Sequence, residues 1–497
     1  YPTYTYKSKP HVPIYKEWFF LTKQGVEVKD TELVYFKDGP NTTVSVNKNF
    51  RIKETDMELD FNPALPFYRE KYFSYNLRTN GKGDGSIIGE FSTFFLIPGL
   101  AYLFAPSQSK NLSAAVVGLG TGISTGVLSQ LKDVKEVSVL EISPKVVKGI
   151  SLAPSHLNFE IFHNKKVNII EIDAFKYFTK TRKKFDIIVS QPSNLWVAGV
   201  ENLFSQDFYQ LARKSLSSEG ILGQWLQNYG IDERTLRMIL HTLRSVFPYT
   251  ELYKIGPKDI LILASLKPLD YNVSDKKFFD PFLNAIFKSF GIYNKQDVSL
   301  SRIFSSSQYE QIMSFYSKDR DIHTLTKPKL SYLVDKTFFL SQDSDPFDIK
   351  PVFMKEEKMN ERKIKSFQRY KNDSPEIWKK RCPELSGFQF LCVYMQQALK
   401  AYQFFTDESN NYPARLNSYS FLRRHGLINH DSHFLSNVFS GIIKKKYLHE
   451  NTPFVYVNER VSQGDYETAY AHIALLKEEK MISEDQYQML KEHIDKL

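Results

Sequence analysis

The segment GLGTGISTG, residues 118–126, joins an apolar run to a helical period. Glycines at 118, 120 and 122 let the backbone pass close to a ligand, and a helix N-terminus offers it unpaired N–H groups. Glu141 stands 23 residues after Gly118, at the end of the next apolar run, EVSVLEIS. A carboxylate at that offset accepts hydrogen bonds from ribose hydroxyls. A third apolar run ends in IIEIDAF and puts Asp173, followed by Ala174, at the neighbouring strand end. Gly118, Gly120, Thr121, Gly122, Glu141 and Asp173 together describe a site for a ribose-bearing ligand. The plain alternative is that Glu141 and Asp173 only cap the helices that follow; Ser143-Pro144 has the form of an N-cap and a helix-starting proline. A second stretch, SQPSNLWVAG (190–199), closes another apolar run, FDIIV. It lies where such sheets bind ligands, yet its polar side chains are all amides and hydroxyls. Trp196 within it reads as a cleft wall or as core.

Those residues work together only if several strands end at one edge. AAVVGLG reads as a buried strand, TGISTGVLSQL as a helix, EVSVLEIS as a strand and PKVVKGISL as a helix. VNIIEIDAFKYF and FDIIVSQPS continue the alternation. After them come the helix FSQDFYQLARKSL, a turn at SSEG, the strand ILGQWLQ, the helix DERTLRMILHTLRSVF and a last strand, DILILAS. Strands alternating with helices mean an α/β fold with a parallel, doubly wound sheet. Upstream, LVYFKDGPNTTVSVNKNFRI and FSYNLRTNGKGDGS alternate apolar and polar residues around turns, with Asp84 read as a turn residue. Residues 267–345 mix helix and loop, and helical periods run from there towards Leu497. The expected organisation is an N-terminal β-rich domain over 1–100, a Rossmann-like domain over 101–345 and a helical domain over 346–497. GDYETAYAHIALLKEE has the spacing of one tetratricopeptide helix, without a second copy at a fixed period.

Composition narrows the functions. The net charge of +10 comes from dispersed Lys and Arg, with no recognition motif, so no nucleic-acid partner is expected. The two cysteines, Cys382 and Cys392, form no C-x-x-C and no histidine cluster has zinc spacing, so no metal is expected. The longest apolar stretch, 91–105, holds Pro98 and Gly99 and falls short of the roughly 20 residues of a membrane span. No signal peptide is read at Tyr1. His323 reads as a surface or hydrogen-bonded structural histidine, and Trp225 as packed.

From about residue 34 to 335 the chain resembles the spermidine synthase (polyamine aminopropyltransferase) family, closest to bacterial domains of this type that are fused to membrane segments. The resemblance is carried by YFKDGPNTTVSV, NGKGDGS, VVGLGTGISTG, VLEISPKVV, IIEIDAFKYF, SVFPYTELY and the long run FDIIVSQPSNLWVAGVENLFSQDFYQLARKSLSSEGILGQWLQ. It implies a small N-terminal β-domain before a methyltransferase-like Rossmann domain. The implied ligand is S-adenosylmethionine or a decarboxylated or methylthio relative. Gly118, Gly120, Gly122 and Glu141 would hold its tail and ribose, and Asp173 and Ala174 its adenine.

Aminopropyl transfer needs a neutral amine to attack carbon beside a sulfonium. An amine of pKa near 10 resists deprotonation at pH 7 by about 4 kcal/mol. The family sets acids there; the matching positions here are Gln191 and Asn194, amides that cannot take the proton. A Tyr-His-Glu segment is replaced by GEFSTFFLIPG, and Leu325, Thr326 and Ser331 occupy further acid positions in HTLTKPKLSYL. Glu90 is a nearby acid, and it is not expected to replace them. The expectation is an adenosyl-binding module kept for structure or assembly. The alternative is an active methyl- or aminopropyltransferase with an atypical acceptor. Expected partners are proteins at the helical C-terminus and further copies of the chain. Fused relatives imply membrane proximity through a segment before Tyr1, leaving the compartment open between cytoplasm and membrane.

Overall fold

The computed structural model describes residues 26–39, 42–53, 73–86, 91–106, 110–256, 258–315, 321–339 and 358–374, and parts of helices beyond. Strands β1 (Val26–Lys37), β2 (Val44–Lys53), β3 (Phe73–Thr79) and β4 (Lys82–Ser86) form an antiparallel sheet in that order. Asn80 and Gly81, at φ 51° and 81°, make the tight turn between β3 and β4. Asp84 is therefore a strand residue and not a turn residue. Arg78 pairs with Gly83 and Leu77 with Gly85, which leaves Asp84 as the extra residue of a bulge. Bulges re-aim side chains, and this one aims Asp84 away from its own ladder.

The second sheet has eight strands: β5 (Leu112–Val117), β6 (Val134–Glu141), β7 (Val167–Glu171), β8 (Phe185–Ser190), β9 (Leu216–Gln227), β10 (Tyr249–Lys254), β11 (Asp259–Ser265) and β12 (Arg302–Phe304). Their order is β12-β10-β11-β9-β8-β5-β6-β7. Strands β5 to β9 are parallel, as the alternation predicts. Strand β11 is reversed and inserted between β9 and β10. The reason is length: only a short turn joins β10 to β11, and a parallel crossover needs a dozen or more residues. SSEG is another departure, lying inside β9 rather than in a turn before it.

Helices α1 (Phe91–Phe104), α2 (Ile123–Gln130), α3 (Pro144–Ile150), α4 (Ala174–Lys180), α5 (Gln206–Ser215) and α6 (Glu233–Arg244) lie among the strands. They are followed by α7 (Asp275–Phe278), α8 (Pro281–Ser289), α9 (Ser306–Phe315), α10 (Lys329–Phe339), α11 (Lys358–Tyr370), α12 (Phe390–Thr406) and α13 (Glu484–Asp495). The apolar stretch 91–105 is α1, packed against β8, β9, β11 and α2. Pro98 cannot donate to the carbonyl of Phe94, and the Ser124 hydroxyl donates to that oxygen instead, at 3.1 Å. Among the described residues no helix is long and apolar enough to cross a membrane.

Helix α3 ties the two sheets together: Gly149 lies against Tyr35 and Val46. Helix α11 is pinned to the far edge of the large sheet. Lys363 Nζ donates to the Arg302 carbonyl at 2.5 Å, Ser366 Oγ to Gln296 at 2.8 Å and Tyr370 to Asp297 at 2.9 Å. Cys382, the side chain of Cys392, Glu90 and most of the tetratricopeptide-like segment lie outside the described residues.

Candidate functional site

Strand order puts β5 between β6 and β8, so the chain leaves β5 in one direction and returns beyond it in the other. Ligands of such sheets bind in the crevice at that switch, outside the strand C-termini. The crevice is bounded by the turn after β5 and the loop after β8. They touch closely: a Cβ on Gly118 would lie 3.2 Å from the Gln191 carbonyl oxygen. Gly118, Gly120 and Gly122 all have left-handed backbone, at φ 86°, 50° and 80°. L-residues pay roughly 1–2 kcal/mol there, which is why the turn is written in glycine.

Glu141 holds this turn. Its Oε2 accepts the Leu119 N–H at 2.8 Å and its Oε1 the Ser143 N–H at 2.8 Å. The carboxyl is buried, which pushes its pKa up; the backbone N–H groups of Leu119, Ser143 and Ile142 oppose the push and the charge of Asp84 adds to it. A carboxylate has about four acceptor sites, so one remains beyond the three backbone donors. Glu141 is thus more than a helix cap. Asp173 does cap: its Oδ1 accepts the Lys176 N–H at 2.9 Å, and Ala174 is the buried first residue of α4. Ile142, between Glu141 and Ser143, is 70% exposed and offers an apolar surface at the rim that sequence reading overlooked. Thr121 Oγ1 and Ser190 Oγ are buried without a hydrogen-bond partner, as is the side-chain oxygen of Gln224 on β9. Buried polar atoms are rarely left so.

The other wall is the loop after β8. The Gln191 backbone N–H donates to the Val117 carbonyl at 3.3 Å, and its side-chain nitrogen to Thr93 at 3.4 Å. Asn194 is buried and donates to the Tyr229 hydroxyl at 2.9 Å. Both amides therefore serve as donors, Gln191 to helix α1 and Asn194 to the segment after β9. Trp196 stacks on Phe338 at 4.5 Å and meets Tyr229 edge-on at 5.6 Å. Trp225 is packed with its N–H on Asp259 at 2.9 Å.

Between Gln191 and Asn194, Ser193 Oγ donates to Asp84 Oδ1 at 2.5 Å. Lys82 Nζ donates to the same carboxylate oxygen at 2.6 Å and to Ser193 Oγ at 3.1 Å. The bulge of β4 thus brings an acid to the loop that lacks one. Gly85 next to it rests on Thr121 of the glycine turn. The only signal in the sequence was the Asn-Gly turn, which fixes where β4 starts.

His323 is fully buried and structural. Its Nδ1 accepts the Leu330 N–H at 3.3 Å, leaving Nε2 to donate to the Glu201 carbonyl at 3.0 Å. Burial holds its pKa down. Leu325 is anchored through its N–H to Asp207, and Ser331 through its hydroxyl to Glu201. Among the described residues no group of three or more potential ligands could hold a metal.

Residues 99–256 match the spermine/spermidine synthase domain. The polyamine aminopropyltransferase of Caldicellulosiruptor saccharolyticus is 24% identical over 192 residues, 38% of this chain and 66% of that protein. The enzyme of the same name from Methanocaldococcus jannaschii is 29% identical over 153 residues, 30% of this chain and 51% of its own length. The chain thus spans about half to two thirds of these relatives. The spermidine synthase structure from Thermotoga maritima overlaps 58% of this chain and 87% of its own, at 15% identity and a TM-score of 0.37. The fold itself is read from the strand order, with its reversed β11 between β9 and β10. Residues 99–256 of this chain are thus similar to a spermine/spermidine synthase domain, on a mixed α/β fold whose central sheet is mostly parallel and Rossmann-like.

Proposed function

We propose that the crevice binds S-adenosylmethionine or a decarboxylated or methylthio relative, and that ordinary polyamine synthesis is absent. The observation that carries the reading is Glu141, buried and bonded to the glycine turn with acceptor capacity to spare. Gly118, Gly120 and Gly122 bring backbone close to the ligand, Thr121 offers its unpaired hydroxyl, and Ile142 an apolar face for a base. Asp173 and Ala174 bound the adenine end. S-adenosylmethionine and its decarboxylated form would supply an electrophilic carbon beside a sulfonium; a methylthio relative, a neutral thioether, would bind without offering one.

Transfer to an amine also needs a group that takes a proton. Gln191 and Asn194 stand in the loop that faces the crevice, and amides do not accept protons near neutrality. The domain then serves as an adenosyl-binding module for structure or assembly. Asp84 favours a second reading, a transferase acting on an atypical acceptor, because its carboxylate touches this loop.

Isothermal calorimetry tests the pocket with S-adenosylmethionine, its decarboxylated form and methylthioadenosine. Heat of binding is expected with at least one; none with all three refutes it. Spermidine formation from putrescine should stay at background, and turnover like that of an authentic synthase would refute that part.

A further inference from the structure

The loop after β8 faces a compact polar group whose members come from far apart in the chain. Asp84 Oδ1 accepts from both Lys82 Nζ and Ser193 Oγ, at 2.6 and 2.5 Å. The carboxylate side chain is 10% exposed and the lysine 27%. Lys82 Nζ also stands over the Trp196 ring, 6.0 Å from its centroid. A carboxylate together with an indole face is the chemistry that binds an organic ammonium. Here that place is filled by an ammonium belonging to the chain.

The backbone makes this more than a chance surface pair. Asp84 is the extra residue of the β4 bulge, and Gly85 beside it, at φ 155°, packs on Thr121. Asp84 is therefore held between the glycine turn and Ser193. Lys82 lies two residues earlier on the same strand, so carboxylate and counter-ion are positioned by one hairpin.

We propose that Lys82 is a built-in counter-ion that occupies the amine position of the acceptor side, so that the cleft rejects diamines and polyamines and takes a non-cationic acceptor. The proposal rests on the reading of the crevice as an adenosyl site flanked by an acceptor site. Two amides and a neutralised carboxylate leave no net negative charge beside Ser193 to hold an incoming ammonium. The positive charge of Lys82 repels one, and this repulsion is a specificity device in its own right. Removing the lysine alone should uncover a cation site.

The test is calorimetric titration of the full chain with putrescine and with spermidine, without any adenosyl ligand. Lys82→Met should bind putrescine at least tenfold more tightly than wild type. Lys82→Gln should gain in the same sense, Lys82→Arg should stay as wild type, and the double variant Lys82→Met/Asp84→Asn should lose the gain. Wild type binding a diamine as tightly as Lys82→Met overturns the proposal, as does a gain that survives in the double variant. Loss of folding in both Lys82→Met and Lys82→Gln overturns it too, since a part-exposed specificity lysine is not needed for folding. Adenosyl binding is measured separately on each protein. Its absence everywhere would end the reading of the crevice while leaving the diamine result to stand or fall by itself.

Discussion

Gly120 and Gly118 together separate what the turn does for folding from what it does for a ligand. Both have left-handed backbone, at φ 50° and 86°, so alanine at either costs roughly 1–2 kcal/mol of stability. Their surroundings differ. A Cβ on Gly120 meets nothing within 4 Å, whereas one on Gly118 meets the Gln191 carbonyl oxygen at 3.2 Å. Gly120→Ala should therefore lose only the backbone cost, about 1–2 kcal/mol, and Gly118→Ala more, because the β8 loop must shift by a few tenths of an ångström. For the ligand the expectation reverses in cause. The methyl on Gly120 points into open space beside the start of α2, where the ligand must approach the backbone. Affinity for the adenosyl ligand should fall at least tenfold, about 1.4 kcal/mol, in a protein that is still folded. Urea unfolding gives the first quantity and calorimetry the second. Affinity within twofold of wild type in Gly120→Ala would refute the placement of the ligand. A stability loss above about 3 kcal/mol in Gly120→Ala would refute the claim that its surroundings are open.

Asp173→Ala removes the cap on the Lys176 N–H and should cost about 1 kcal/mol, whereas Asp173→Asn should keep most of it; equal stability of Asp173→Ala and wild type in urea would contradict the cap. Lys277 is buried, donates to the Ala105 carbonyl at 2.6 Å and lies over the Tyr102 ring, and burial pushes its pKa down to about 8. The unfolded chain holds that proton up to about pH 10.5, so between pH 8 and 10.5 unfolding takes up a proton and stability rises with pH, by about 3 kcal/mol across the interval. Lys277→Met should lack this rise, and urea unfolding at a series of pH values showing the same slope in both proteins would refute it.

Much of the cleft was legible in the chain before folding. The run from β5 through the glycine turn to α2 is local: alternation of apolar and helical periods, with glycine wherever φ is positive, specifies it residue by residue. Glu141 was legible for the same reason, since its offset from Gly118 follows from the length of one helix and one strand. The parallel half of the large sheet followed from the strand-helix alternation. Its reversed β11 did not, because a short apolar run carries no mark of direction and only the brevity of the β10–β11 turn decides it.

The acid beside Ser193 was out of reach of any local pattern. Asp84 and Ser193 are 109 residues apart, and they meet because a one-residue bulge turns Asp84 out of a small sheet that α3 docks on the large one. Periodicity records which face of a strand is apolar; it does not record where another sheet will come to rest. The amino-acid sequence by itself determined the glycine-turn end of the cleft, where the chemistry is backbone and nearest neighbours. Tertiary structure alone decided what faces Gln191 and Asn194, because that wall is assembled from segments whose only link is how they pack.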